Sequence, residues 1–159
     1  MTVIAVTGHQ HIPEQANEYV TEELRRLLDT YQGLEQQITG VSCLAVGADQ
    51  LFADEVLNRG FALKAIIPCA NYESTFNARD LKAYRRLLRE ASSVETMPYT
   101  DPTPHAFLEA SKHMIDMSDI VVALWDGFPG QPGGTGDAVS YARSQGKPMV
   151  MIWPEGVLH

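Results

Sequence analysis

Two cysteines in 159 residues, Cys43 and Cys69, leave the chain without a disulfide framework or the paired spacing of a zinc finger. Positive charge is scarce as well. Twelve Lys and Arg stand against 20 Asp and Glu, for a net charge of -8 at pH 7. Affinity for phosphate backbones comes mostly from Lys and Arg, so duplex nucleic acid is not an expected partner. A small anion held by backbone amides stays open. No apolar run approaches the about 20 residues of a membrane span. Met1 leads straight into a strand pattern, with no basic stretch before it. A cytoplasmic protein that does not enter membranes is expected, and nothing in its composition bars a homo-oligomer. Repeats, low-complexity tracts and linkers are absent too, and 45% of the residues are hydrophobic. That predicts one domain over residues 1–159, with a real core.

What is present centres on residues 119–148, DIVVALWDGFPGQPGGTGDAVSYARSQGKP. The apolar run Ile120 to Trp125 is short and rich in β-branched residues, as a strand covered on both faces reads. After Asp126-Gly127 and a loop with Pro129, Gly130 and Pro132 come Gly133-Gly134-Thr135-Gly136, and a helix is predicted from near Asp137. Gly146 closes it, and Met149 to Trp153 reads as the next strand. Strand, glycine turn, helix, strand is a βαβ unit. The first amides of its helix have no partner within the helix, so amides, helix dipole and glycines together form a candidate anion site.

The rest of the chain repeats the alternation. Thr2 to Val6 is a strand, and Pro13 opens a helix with Val20, Leu24, Leu27, Leu28 and Tyr31 on one face. A second strand lies within Ile38 to Val46, and Gly47-Ala48-Asp49 turns into a helix that Asp49 is placed to cap. Leu63 to Ile67 is the third strand, ending at Pro68-Cys69. A helix is expected from about Ser74 to Glu90, with Arg79 the basic residue nearest the strand end. Val94 to Met97 suits an edge strand, and Thr103 caps a further helix with Pro104 at its first position. The pattern predicts an α/β, Rossmann-like, doubly wound fold: a mostly parallel sheet of about five strands, helices on both faces, and an order that reverses beside the first strand. Four small-residue turns then converge on one sheet edge, where such folds bind ligands.

Other chemistry has weaker support. His9 and His11 have no third partner at metal-ligand spacing, so no metal is expected; His9 keeps a binding role through its place at the strand end. His105 and His113 read as surface residues. Cys69 reads as a small buried thiol, and Trp125 and Trp153 suit either base stacking or core packing.

With TGHQ after strand one, GAD opening the second helix, PC after strand three and PGGTGDAVSYARSQGKP near the end, the chain resembles the SLOG superfamily of Rossmann-like proteins. That group includes YpsA-like proteins, the LOG phosphoribohydrolases and the core of DNA-processing protein A. The resemblance implies a pocket for a nucleotide or nucleotide-derived ligand, lined by Gly8, His9, Gly47, Asp49, Gly133, Gly134 and Thr135. Gly136 belongs to the same turn, and Asp126 and Arg79 join as candidates from their positions. No cofactor is expected. The LOG enzymes carry a glutamate pair after their Gly-Thr step, where Val139 and Ser140 stand here. The related deoxyribosyltransferases place a nucleophilic glutamate where this chain has Ala138. The catalytic residue is therefore unknown, with Asp137 and Asp126 as candidates. The expected role is a sensor or carrier of a nucleotide-like small molecule. The alternative is an N-glycosidic hydrolase or transferase acting on nucleoside monophosphates.

Overall fold

A computed structural model of the chain describes residues 1–35 and 37–158. Its six strands are β1 (Thr2–Gly8), β2 (Ile38–Ser42), β3 (Ala62–Ile67), β4 (Ser93–Thr96), β5 (Ile120–Leu124) and β6 (Met149–Met151). The five helices are α1 (Glu14–Leu34), α2 (Ala48–Asn58), α3 (Ala78–Glu90), α4 (Pro104–Asp116) and α5 (Thr135–Ser144). All strand pairs are parallel, in the order β4-β3-β2-β1-β5-β6. The chain steps outward from β1 to β4, then α4 carries it back to lay β5 on the other side of β1. The order reverses between β1 and β5, as expected.

Alternation along the central strands splits the core into two layers. Ile4 and Val6 of β1 pack with Val20, Leu24 and Leu28 of α1 and Phe52 and Val56 of α2. Ala5, one residue out of phase, packs with Val41, Ile66 and the α4 residues Ala110 and Met114. Val121 of β5 meets Ala138 and Ala142 of α5. Helices α1 to α3 thus cover one face and α4 and α5 the other.

Several boundaries differ from expectation, each for a local reason. The sheet has six strands rather than about five. The edge strand β4 and the three-residue β6 are short and partly exposed, and so carry little apolar signal. Strand β2 stops at Ser42, not Val46, because Leu44 takes a left-handed φ of 59° and ends the pairing. The stretch expected as one helix from Ser74 is a 3-10 turn, Tyr72–Thr75, followed by α3. The Asn77 side chain accepts the amide of Asp80 at 2.8 Å and starts a new helix there. Pro13 occupies the cap position one residue before α1. Thr103 does cap α4, its hydroxyl accepting from the Ala106 amide at 3.1 Å. Helix α5 begins at Thr135, so Asp137 lies inside its first turn.

Candidate functional site

A cavity of about 620 Å³ opens at the carboxyl ends of the strands, over the reversal between β1 and β5. Its floor is the end of β1 and the loop after it, from Val6 to His11. Cys43, Ala45, Val46 and Asp49 line it from the β2–α2 junction, and Pro68, Tyr72, Thr75 and Phe76 from beyond β3. Helix α4 adds Pro104, Phe107, Ser111 and Met114; Trp125 and residues 130–136 complete the wall. Among the described residues no lysine or arginine lines it.

The junctions are built by close backbone contact. Gly47 has a φ of 86°, and a Cβ there would stand 2.4 Å from the Gln10 carbonyl oxygen. Only glycine suits both the conformation and the space. The contact lets the Ala48 amide donate to the His9 carbonyl at 3.0 Å, locking the β1 loop to the start of α2. Gly133, at φ 78°, lies against Pro104 in the same manner and brings the glycine turn onto the start of α4.

Asp49 does not cap α2; that position falls to Gly47, with no side-chain cap. The left-handed Leu44 presents the Ala45 amide to Asp49 instead, and Oδ2 accepts it at 3.3 Å. Asp49 is only 9% exposed, and it is the one acidic residue among those lining the cavity. Burial pushes its pKa up to about 7, against a smaller downward pull from the Ala45 hydrogen bond. Burial, with the charge of Asp49 second, also raises the neighbouring Cys43 thiol. The Tyr72 phenol is raised mainly by burial too.

The two acids singled out as catalytic candidates do other work. Asp137 Oδ2 accepts the Gly133 amide at 2.7 Å, closing the glycine turn on itself. Asp126 Oδ1 lies 3.2 Å from His9 Nε2 and accepts the Phe128 amide at 3.0 Å; its side chain is 2% exposed. The backbone amide of Asp126 also donates to His9 Nε2 at 3.1 Å. Neither acid lines the cavity. Gly8, His9, Asp49, Gly133, Gly134, Thr135 and Gly136 do line it. Gly47 stands behind the wall as a packing residue, and Arg79 is an exposed residue of α3 away from it. Sequence reasoning missed the aromatic wall. Tyr72 packs edge-on against Phe76 at 5.2 Å and Tyr84 at 5.6 Å, with Phe107 at 6.4 Å. The signal was Tyr72 and Phe76 four apart after Pro68, hidden by reading that stretch as loop and helix start.

The remaining singled-out residues are held by packing or pairing, and of them Trp125 also lines the cavity. Cys69 is fully buried, and burial raises its thiol, which makes it a poor nucleophile. Trp125 Nε1 donates to the Phe128 carbonyl at 2.9 Å, and Trp153 lies edge-on to His9 at 5.1 Å. His113 is paired with Glu95 at 3.0 Å and His105 packs against Tyr99. No helix among the described residues is long and apolar enough to cross a membrane.

In the gate of the cavity, the glycine turn uses part of its own donor set. The Gly133 amide is held by Asp137 and the Gly134 amide by the Gln131 carbonyl at 3.0 Å. The amides of Thr135 and Gly136, the first two of α5, have no carbonyl a turn earlier in the helix to bond. Both residues line the cavity.

No protein-family model matches the chain, and no curated protein matches its sequence. Solved structures do match in shape. DNA processing protein A from Streptococcus pneumoniae superposes with a TM-score of 0.70 at 20% identity over 99% of this chain. The single-stranded-DNA-binding DNA processing protein A from Helicobacter pylori gives 0.68 at 18% identity over 94%. The chain spans 52% and 64% of the lengths of those two proteins. The structural-genomics target TM1055 gives 0.61 at 19% identity, covering 94% of this chain and 72% of its own. At this level of identity the likeness establishes a shared fold, the Rossmann-like fold that resemblance to the SLOG superfamily implies.

Proposed function

We propose that the protein binds a nucleotide-like small molecule in the cavity over the β1/β5 reversal, as a sensor or carrier. One observation carries this reading: a single cavity of about 620 Å³ joins the open amides at the start of α5 to an aromatic wall of Tyr72, Phe76 and Phe107. The volume lies within the range of small-molecule sites. Phosphate suits the helix N-terminus, where amides and dipole favour negative charge. A base suits the apolar and aromatic side. Single-stranded DNA, which the Helicobacter pylori neighbour binds, fits less well. A net charge of -8 and a cavity without lysine or arginine oppose a polyanion.

Equilibrium dialysis against the 5′-monophosphates of adenosine, guanosine, cytidine and uridine tests the reading, with Thr135→Glu as control. Thr135 lines the cavity at the first position of α5, so a carboxylate there should repel phosphate. The same charge complements the helix dipole and should leave the thermal midpoint unchanged or slightly raised. Unchanged nucleotide binding by Thr135→Glu would place the ligand elsewhere.

A second reading, hydrolysis or transfer at an N-glycosidic bond, is favoured by Asp49. A cavity carboxyl with a pKa about 7 can hold or release a proton near neutral pH. Chromatography for free base after incubation with the same monophosphates separates the two readings, with Asp49→Asn as the control. Its accumulation would make the protein an enzyme and Asp49 its acid, in place of Asp126 or Asp137.

A further inference from the structure

An anionic ligand in this cavity meets an unusual charge inventory. The start of α5 and the carboxyl group of Asp49 line the same cavity, and among the described residues no lysine or arginine lines it. Asp49 is about nine-tenths buried, and among the described residues only one of its carboxyl oxygens is engaged. Oδ2 accepts from Ala45, whereas among the described residues no donor reaches Oδ1. Among the described residues no buried side-chain oxygen or nitrogen lacks a partner, so Oδ1 is the atom that reaches the open space. A phosphate and an ionised carboxylate sharing one cavity repel each other, with no lysine or arginine beside them to offset it.

We propose that the cavity takes up its anionic ligand together with one proton, held on the Asp49 carboxyl, whose Oδ1 hydroxyl donates a hydrogen bond to the ligand. This proton uptake presupposes the nucleotide reading above. It makes Asp49 a ligand-contacting residue that admits the ligand only in its acid form. Burial already holds the carboxyl half-protonated near pH 7 in the free protein, so completing its protonation is cheap there and costly at higher pH. The neighbouring groups leave that assignment to Asp49. Cys43 just after β2, Cys69 after β3 and Tyr72 from the 3-10 turn all have pKa values raised by burial, and stay neutral around pH 7. His9 and His11, on the loop after β1, also line the cavity, and His9 is paired with Asp126. Helix α4 and residues 130–136 present no titratable side chain to it. On α2 itself the next acid facing inward is Glu55, already paired with Arg59 at 2.8 Å.

The test measures binding of the four nucleoside 5′-monophosphates from pH 6 to 9, for the wild type and Asp49→Asn in parallel. The amide of asparagine supplies a donor that never ionises. The ratio of wild-type to variant affinity should therefore fall about tenfold per pH unit above pH 7. Ionisation of the ligand is common to both proteins and cancels in that ratio. A constant ratio overturns the proposal, as does a folded Asp49→Asn that binds nothing at any pH. Should the variant fail to fold, calorimetry of the wild type at pH 8 in buffers of different ionisation enthalpy decides. Uptake of about 0.9 proton per ligand is expected, and none overturns it. If no monophosphate binds either protein at any pH, the nucleotide reading itself falls; binding without proton linkage removes this inference alone.

Discussion

At the scale of single residues, Asp49 holds a tension between folding and site. Its folded pKa of about 7 lies above the about 4 of an unfolded aspartate, so the folded state binds the extra proton between those values. Stability contributed by the protonated form is present at low pH and is lost as pH rises through about 4 to about 7. Asp49→Asn removes the burden of a buried charge. Its thermal midpoint should exceed that of the wild type at pH 8, with the gap closing by pH 4. A gap that does not change with pH would mean the carboxyl is solvated. The sequence marks Asp49 as a ligand-edge residue but also as a helix cap, and the second expectation fails. Its side chain turns to Ala45 only because Leu44 adopts a left-handed conformation, and leucine gives no hint of that.

Helices and strands were legible where hydrophobic period and length agreed. The run of β5, the face of α1 and the Thr103 cap of α4 all lie in the letters, because burial on both faces, a 3.6-residue period and a capping hydroxyl are local properties. The division between the 3-10 turn and α3 was legible only in part. Asn77 with Asp80 three residues on is a cap signal, but the apolar positions continue through it. Junctions were the least legible, since a close approach between distant backbones has no local signature. Two glycines separate the cases. Gly33 lies in α1 with open space where a Cβ would go, so Gly33→Ala should stabilise by about 0.5–1 kcal/mol through helix propensity. Gly47→Ala forces a Cβ into the Gln10 carbonyl at positive φ and should destabilise by more than about 2 kcal/mol. Chemical denaturation of both variants checks the pair; similar midpoints would show that the β1–α2 lock is loose.

At the scale of the whole molecule, the reversal between β1 and β5 was inferable because strand-helix alternation and parallel topology force the turns to one edge. Where along that edge the cavity would lie, and that among the described residues no lysine or arginine would line it, depended on partners distant in sequence. Arg79 was expected there as the basic residue nearest the strand end, yet it stands exposed on α3. Two other arginines of α3 pair on the outer face. Arg86 reaches Asp54 on α2 at 2.7 Å and Glu90 at 2.9 Å, and Arg85 reaches Glu73 at 2.6 Å. The Arg86–Asp54 pair ties α3 to α2 on the outer face, and none of these charged residues lines the cavity.

The loop from Asp126 to Gly134 is clasped at both ends. Phe128 is held through its amide by Asp126 and through its carbonyl by Trp125. Gly133 and Gly134 are held by Asp137 and Gln131. A segment tethered in this way has few alternative arrangements to search when a molecule arrives. Ligand capture should therefore proceed as a single encounter, and stopped-flow rates should climb linearly with nucleotide concentration. A plateau in those rates would reveal a slow rearrangement after contact, and with it a loop far less settled than its clasps suggest.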